Sequence, residues 1–350
     1  MEHASTLTDV LRTDLPWSQR LDSATGQKAY ASLRLKVSAA GILDRSLSFY
    51  LPIIAVSFGG YALSALAIVL LEDYLFLAIA CIGFSFFSVQ LAGLMHDSGH
   101  RAVFRSKILN DALGLASSSA IGMVFPNWRS RHNAHHAHPN QEHVDPDMEI
   151  PFVAIGKESF LNKDRLQRGL AKWQVFYYYP LGALVGFTNR LGSISYFLRS
   201  ASPGNHWLLW LYLPGVFSLF VLPFILFPLG KAAFVFFVIH TLTGVYLASC
   251  FAPNHKGRPI LPRNAGASFI EQQVVTARNV RGGMLTEFLL VGLNYQVEHH
   301  LFPTCPRNKL HLLKPFVRRA CQDLGIEYSE ETFIETNRLL LRQLAAAAQG

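Results

Sequence analysis

Charge is what this sequence has least of. Charged residues make up 15% of the 350-residue chain, against about 25% in an ordinary soluble domain. Length alone would suggest two or three soluble domains; the charge content excludes that reading. Acidic residues are scarcer still, 23 against 31 Lys and Arg, for a net charge of +8. Such an excess suits nucleic acid, anionic lipid or an acidic partner. No nucleic-acid motif accompanies it, so nucleic acid is set aside. Cysteine is sparse too: Cys81, Cys250, Cys305 and Cys321 form no CxxC pair, and two lie in apolar runs. That excludes a disulfide scaffold and a zinc ribbon. Internal repeats are absent, and the one low-complexity tract is Ala345–Ala348. Aromatic residues, at 12%, exclude intrinsic disorder.

What the chain has instead is hydrophobic residues, 51% of the total. They concentrate in four uncharged runs, Tyr50–Leu71, Tyr74–Met95, Trp207–Gly230 and Ala232–Pro253. Each exceeds the roughly 20 helical residues needed to cross a hydrocarbon core of about 30 Å. The runs come in two pairs, broken only by Glu72-Asp73 and by Lys231, so each pair reads as a helical hairpin. The first begins at residue 50 behind a segment with six basic residues, which is not the pattern of a cleavable signal peptide. All 31 basic residues except Lys231 fall outside the spans and their tips, on one face. The positive-inside rule makes that face cytoplasmic.

The expected fold class is therefore an all-α integral membrane protein. Four transmembrane helices (50–71, 74–95, 207–230 and 232–253) form two hairpins under a helical cytoplasmic cap built from 96–206 and 254–320. Residues 1–49 form a cytoplasmic N-terminal segment, and 321–350 a C-terminal tail whose Phe333–Leu344 pattern is an amphipathic helix. Ala112–Phe125 is too short to span and carries three consecutive serines; Val175–Phe187 is interrupted by Pro180. Both are expected in the interface or under the cap.

Histidine is the other excess: 14 residues, seven of them in three tight clusters. His96 and His100 stand at i,i+4 just after the second run. His132, His135 and His136 stand at i, i+3 and i+4, and His299 and His300 repeat that spacing with Gln296 at its first position. Residues so spaced share a helix face, and the topology puts all three clusters on the cytoplasmic side near membrane depth. Neutral imidazole suits iron, zinc, copper and nickel. Seven histidines exceed the four ligands of one tetrahedral zinc, which points to two metals. His255, delivered by the last run, is an eighth ligand candidate.

Asp97, Asp145, Asp147 and Glu298 are candidate acceptors for the second ring N–H of ligand histidines; spacing does not say which serves which. Asn254 stands beside His255, and Gln296, a poor iron ligand, is expected to hydrogen-bond. Trp128 is a candidate lining or cap of the site. His138 is expected to face another neighbour, His143, in a loop beside Asp145 and Asp147, to be structural or to support the ligands from behind, and His240, inside the fourth run, to hydrogen-bond between helices. His3, His206 and His311 have no motif context.

The segments HDSGH, RHNAHH, FAPNHKG and NYQVEHHLFP resemble the membrane-bound fatty acid desaturases, over about residues 40 to 320. Gln296 resembles the third box of the front-end branch, which inserts a double bond between an existing one and the carboxyl end. The resemblance implies that His96, His100, His132, His135, His136, His299 and His300 are catalytic di-iron ligands, and supports His255 as a further one. It implies two iron ions, O2 as co-substrate, and a cis double bond placed in a lipid-linked or thioester-linked acyl chain. Many eukaryotic front-end enzymes carry a fused cytochrome b5 domain with an HPGG motif. None is found here, so the electrons are expected from a separate ferredoxin or cytochrome b5 type donor, and a bacterial inner membrane rather than the endoplasmic reticulum. Two other readings stay open: a di-iron hydroxylase of lipid, alkane or carotenoid, and a non-redox zinc-binding membrane protein.

Overall fold

A computed structural model describes residues 21–200 and 207–349. The expectations for residues 1–20, His3 and His206 lie outside that range.

Helix α1 (Ser23–Ala39) is capped by the Asp22 side chain on Thr25 N. It is followed by α2 (Leu47–Leu70) and α3 (Tyr74–Gly99). The turn between the latter two is set by Asp73, whose carboxylate accepts from Leu75 N and Phe76 N. That cap fills two donors every helix start leaves open. Helix α2 is largely exposed, whereas α3 is buried along most of its second half. Next come α4 (Lys107–Ala120) and α5 (Phe125–Ala137), bent 108° from one another. Gly122 (φ +68°) makes the bend, and Pro126 starts α5 where a missing N–H costs nothing. At Gly114 a side chain would collide with the Phe125 ring, its Cβ falling 2.3 Å from a ring atom.

Four helices follow: α6 (Lys157–Leu161), α7 (Arg165–Ala171), α8 (Gln174–Gly182) and α9 (Val185–Ser200). Then α10 (Trp207–Phe220) and α11 (Leu222–Leu226) lead into the long α12 (Leu229–His255). Helix α13 (Phe269–Val275) precedes strand β1 (Asn279–Val280), α14 (Met284–Leu289) and α15 (Gln296–Leu301). The chain closes with α16 (Leu310–Leu324), β2 (Glu330–Glu331) and α17 (Phe333–Ala347). Strands β1 and β2 pair in parallel, Asn279 opposite Glu330, a small exception to an otherwise helical chain.

Among the described residues three helices, α2, α3 and α12, are long and apolar enough to cross a membrane; the bent pair α4–α5 would make a fourth by length and composition. The run Trp207–Gly230, expected as one continuous span, is instead broken. Helix α10 ends at Phe220, Pro223 stands in the first turn of the short α11, and Pro228 follows it. Proline cannot donate to the helical ladder, and its ring clashes with the preceding turn. Val175–Phe187 is likewise two helices, α8 and the start of α9, meeting at Gly182 and Ala183. Both lean on α12, where a Cβ on Gly244 would come within 2.6 Å of the Gly182 and Ala183 carbonyls.

Helices α3 and α12 overshoot their apolar runs. Helix α3 continues through Asp97 and Ser98, and α12 through Pro253 to His255. Their other ends are tied together: Lys231 Nζ donates to Glu72 Oε1 at 3.0 Å and lies 4.5 Å above the Phe227 ring. Beyond the long helices, α1, α13, α15 and α16 bury Leu33, Val37, Ile270, Val297 and Leu313 in one core. Helix α16 runs across residue 320, and α17 buries Leu340 and Leu344 against Val153, Ile155 and Tyr178.

His240 makes no helix-to-helix hydrogen bond through Nε2, which is buried and has no partner among the described residues. The rings of Phe187, Phe220 and Phe236 surround it at 4.5–4.7 Å and offer no acceptor.

Candidate metal centre

The ends of α3, α5, α12 and α15 converge, and all eight histidines meet there. They divide into two sets of facing ring nitrogens: His96, His100, His132, His136 and His299 in one, and His135, His255 and His300 in the other. In the first, His96 and His299 approach Nε2 to Nε2 at 3.1 Å, His100 and His132 at 2.9 Å, and His136 stands 3.1 Å from both His132 and His299. In the second, His135 and His255 face each other at 3.3 Å. The i,i+4 pair of α5 stays together, while His135 turns to the other set; adjacent His299 and His300 part in the same way.

Outside the sets, four Nδ1 groups donate outward. His96 donates to Asp97 Oδ1 at 3.2 Å and His135 to Asp145 Oδ2 at 3.0 Å. His255 donates to the Thr276 carbonyl at 3.0 Å, and His300 to Gln273 Oε1 at 2.8 Å. Each acceptor is an oxygen, so the ring proton sits on Nδ1 and the Nε2 lone pair points inward. Gln273 is oriented unambiguously, because its Nε2 donates to the His136 carbonyl at 3.0 Å.

The carboxylates are held in turn. Asp97 Oδ2 accepts from Tyr50 OH at 2.8 Å and from Arg307 Nε at 2.5 Å. Asp145 also accepts from the Asn140 and Asp147 amides, both at 2.8 Å. Burial alone would push the Asp145 carboxyl up; His135 and Lys256 outweigh it and bring it down to about 2. Burial, and then neighbouring histidines, hold His100, His299 and His300 well below the usual imidazole range. They are therefore neutral near pH 7, the state a metal requires.

The donors fit a transition-metal pair. Two nitrogens each about 2.1 Å from one ion, at a right angle, lie about 3 Å apart, and the observed spacings cluster there. His300 Nε2 is buried with no hydrogen-bond partner among the described residues, and such a lone pair is costly unless something binds it.

The other expected site residues are placed less uniformly. Asp147 is half-exposed and 3.8 Å from His135 Nδ1, with Arg131 at 3.5 Å. Glu298 makes no hydrogen bond to an imidazole among the described residues. Its carboxylate accepts from Asn279 and from Tyr328, both at 2.7 Å, because a helix turns adjacent side chains about 100° apart and His299 takes the inward direction. Asn254 Nδ2 donates to Gln296 Oε1 at 3.2 Å, and Gln296 Nε2 reaches His255 Nε2 at 2.9 Å. Trp128 stacks on His132 with ring centroids 4.6 Å apart and meets His96 edge-on at 6.0 Å. His138 bonds Gln141 and His143 bonds Glu158, both away from the sets; His311 packs near Tyr295.

Sequence reasoning missed Gln273, Thr276, Tyr50, Arg307 and Asn140. Asn140 Nδ2 donates to the His255 carbonyl at 2.9 Å, linking two histidine segments 115 residues apart. None of these residues stands in a histidine motif, and Thr276 acts through its backbone.

Comparison with known proteins gives this arrangement a family. The fatty acid desaturase family model matches residues 73–332, which hold all eight histidines. The chain belongs to the fatty acid desaturases. Among its relatives, the Delta(8)-fatty-acid desaturase of Euglena gracilis is 28% identical over 346 residues, covering 92% of this chain and 79% of the relative. The Delta(5) fatty acid desaturase fat-4 of Caenorhabditis elegans is 28% identical over 333 residues, covering 89% and 72%. The acyl-lipid (9-3)-desaturase of Borago officinalis is 26% identical over 345 residues, covering 92% and 75%. This desaturase is thus an oxidoreductase acting on fatty acyl chains, with helices suited to a membrane and histidines suited to metal.

Proposed function

We propose that this desaturase uses two iron ions and O2 to place a cis double bond in a lipid-linked or thioester-linked acyl chain. His96, His100, His132, His136 and His299 would hold one ion, and His135, His255 and His300 the other. The observation that carries the reading is the division of eight inward-facing imidazoles into two sets. Bound iron would supply the abstraction of hydrogen from an unactivated methylene with O2, chemistry beyond any side chain.

The chain's own residues do the rest. Asp97, Asp145, Gln273 and the Thr276 carbonyl hold the tautomers that aim Nε2 inward. Asn254 orients Gln296, whose amide stands beside the smaller set at His255 Nε2. Trp128 walls the larger set and keeps water from His132. Selecting one methylene among many similar ones requires a chain held in fixed register; apolar surface between the spanning helices is suited to that.

The topology we propose has two hairpins, α2–α3 and α10/α11–α12, with the break at Pro223 inside the third crossing. The contact between Lys231 and Glu72 supports hairpin tips on a common side. Residues 1–49, the metal-bearing cap of 96–206 and 254–320, and the tail 321–350 would then be cytoplasmic. The basic face of that cap would receive a ferredoxin or cytochrome b5 type donor, which supplies the two electrons per turnover.

Heterologous expression with fatty-acid product mapping tests the reading. The expected product has lost two hydrogens at one position; a product with an added oxygen overturns it. His132→Ala and His300→Ala should abolish product while the protein still inserts. Metal analysis should find two irons per chain, and one zinc without iron would refute the di-iron reading.

A further inference from the structure

Helices α7 and α8 join through Lys172 and Trp173 and expose an apolar stripe that nothing among the described residues covers. Leu166, Leu170 and Trp173 stand at i, i+4 and i+7, with Phe176 one turn on; they are exposed by 69, 40, 64 and 75%. The opposite face is locked inward. Ala171, Gln174 and Tyr178 are buried, and Gln174 Nε2 donates to the Ala154 and Leu344 carbonyls. The stripe therefore cannot turn into the core.

Arg165, Arg168 and Lys172 take the remaining face of the same pair of helices, exposed and with no carboxylate partner among the described residues. Nearby acids are already engaged: Asp164 caps α7 in a reciprocal box with Gln167, and Glu158 meets His143 at 2.6 Å. Helix α8 also ends against the spanning helix, where a Cβ on Gly182 would lie 3.1 Å from Ala248 Cβ. The surface thus lies beside α12.

We propose that this face docks on the bilayer, its apolar stripe immersed among acyl chains and its three basic residues holding anionic phospholipid headgroups. A basic face beside an apolar stripe is the arrangement of an interfacial helix, and anionic headgroups attract such a face. The inference rests on the membrane reading above and adds a lipid-class preference to it.

The test uses full-length protein in vesicles and a nitroxide on Leu170→Cys. All four native cysteines are buried, so the introduced thiol is the one that reacts. In vesicles with ~30% phosphatidylglycerol the label should be shielded from a water-soluble nickel relaxant. Each charge removed in Arg165→Gln, Arg168→Gln and Lys172→Gln should lower the immersed-to-exposed ratio about fivefold. A parallel label on Leu63→Cys, exposed on α2, reports the spanning helices separately. Lipid contact at Leu63 with water contact at Leu170 overturns this inference alone; water contact at both overturns the membrane reading as well. Equal immersion in pure phosphatidylcholine, unchanged by the three substitutions, overturns the headgroup preference. A label immobilised between two copies in detergent shows a protein interface instead.

Discussion

Replacing Gln273 by Leu separates what this residue does for packing from what it does for the metal. Gln273 is fully buried on α13, and its amide serves two strands of the site at once. Its Oε1 accepts from His300 Nδ1 at 2.8 Å, and its Nε2 donates to the His136 carbonyl at 3.0 Å. Leucine has similar bulk but satisfies neither group. Each orphaned partner costs about 1–3 kcal/mol, so the variant should lose roughly 2–6 kcal/mol of stability. The His300 ring is also freed to rotate, and losing such an outer hydrogen bond typically weakens metal binding about 10–100-fold. Chelator competition on the purified protein, read as bound metal, measures the second effect; thermal unfolding of the metal-stripped protein measures the first. Gln273→Glu should recover part of the affinity, because it keeps an acceptor for His300 but gives up the donor to His136. If Gln273→Leu holds metal at the same chelator concentration as the native protein, Gln273 does not orient a ligand and the tautomer argument fails.

Arg307→Met should destabilise the chain by about 3–5 kcal/mol, because it strands Asp97 as a buried charge. A double-variant cycle with Asp97→Asn should recover part of that loss, and strict additivity would refute the coupling. Burial, and then the neighbouring Glu158, raises the Glu142 carboxyl to about 7. A carboxyl raised on folding contributes stability that is full below about pH 4.5 and lost as the pH climbs toward 7. Melting temperatures of Glu142→Gln should therefore fall less between pH 4 and pH 8, about half a unit and one unit beyond those limits, than those of the native protein. Leu344→Ala, in the core that seats α17, should cost about 2–5 kcal/mol; a change under about 0.5 kcal/mol in denaturant titration would mean the tail does not pack there.

The long apolar runs and the histidine spacings determined most of what this protein is. Both are local patterns: an uncharged stretch declares a spanning helix wherever it folds, and HxxxH or HxxHH places imidazoles on a helical turn without tertiary help. Even so, local pattern misled at Trp207–Gly230, where composition promised one helix and Pro223 and Pro228 broke it. Tertiary structure alone decided which histidines face which. His135 leaves its neighbour His136 to meet His255, 120 residues away, and His96 meets His299 across 203 residues. It also decided who holds the rings. Glu298, one residue from His299, turns aside to Asn279 and Tyr328, while Gln273 and the Thr276 carbonyl arrive from a helix without a single histidine. Ligand chemistry resides in side-chain type, which a sequence carries at each position. Ligand orientation resides in hydrogen bonds between distant segments, and those exist only once the chain has packed.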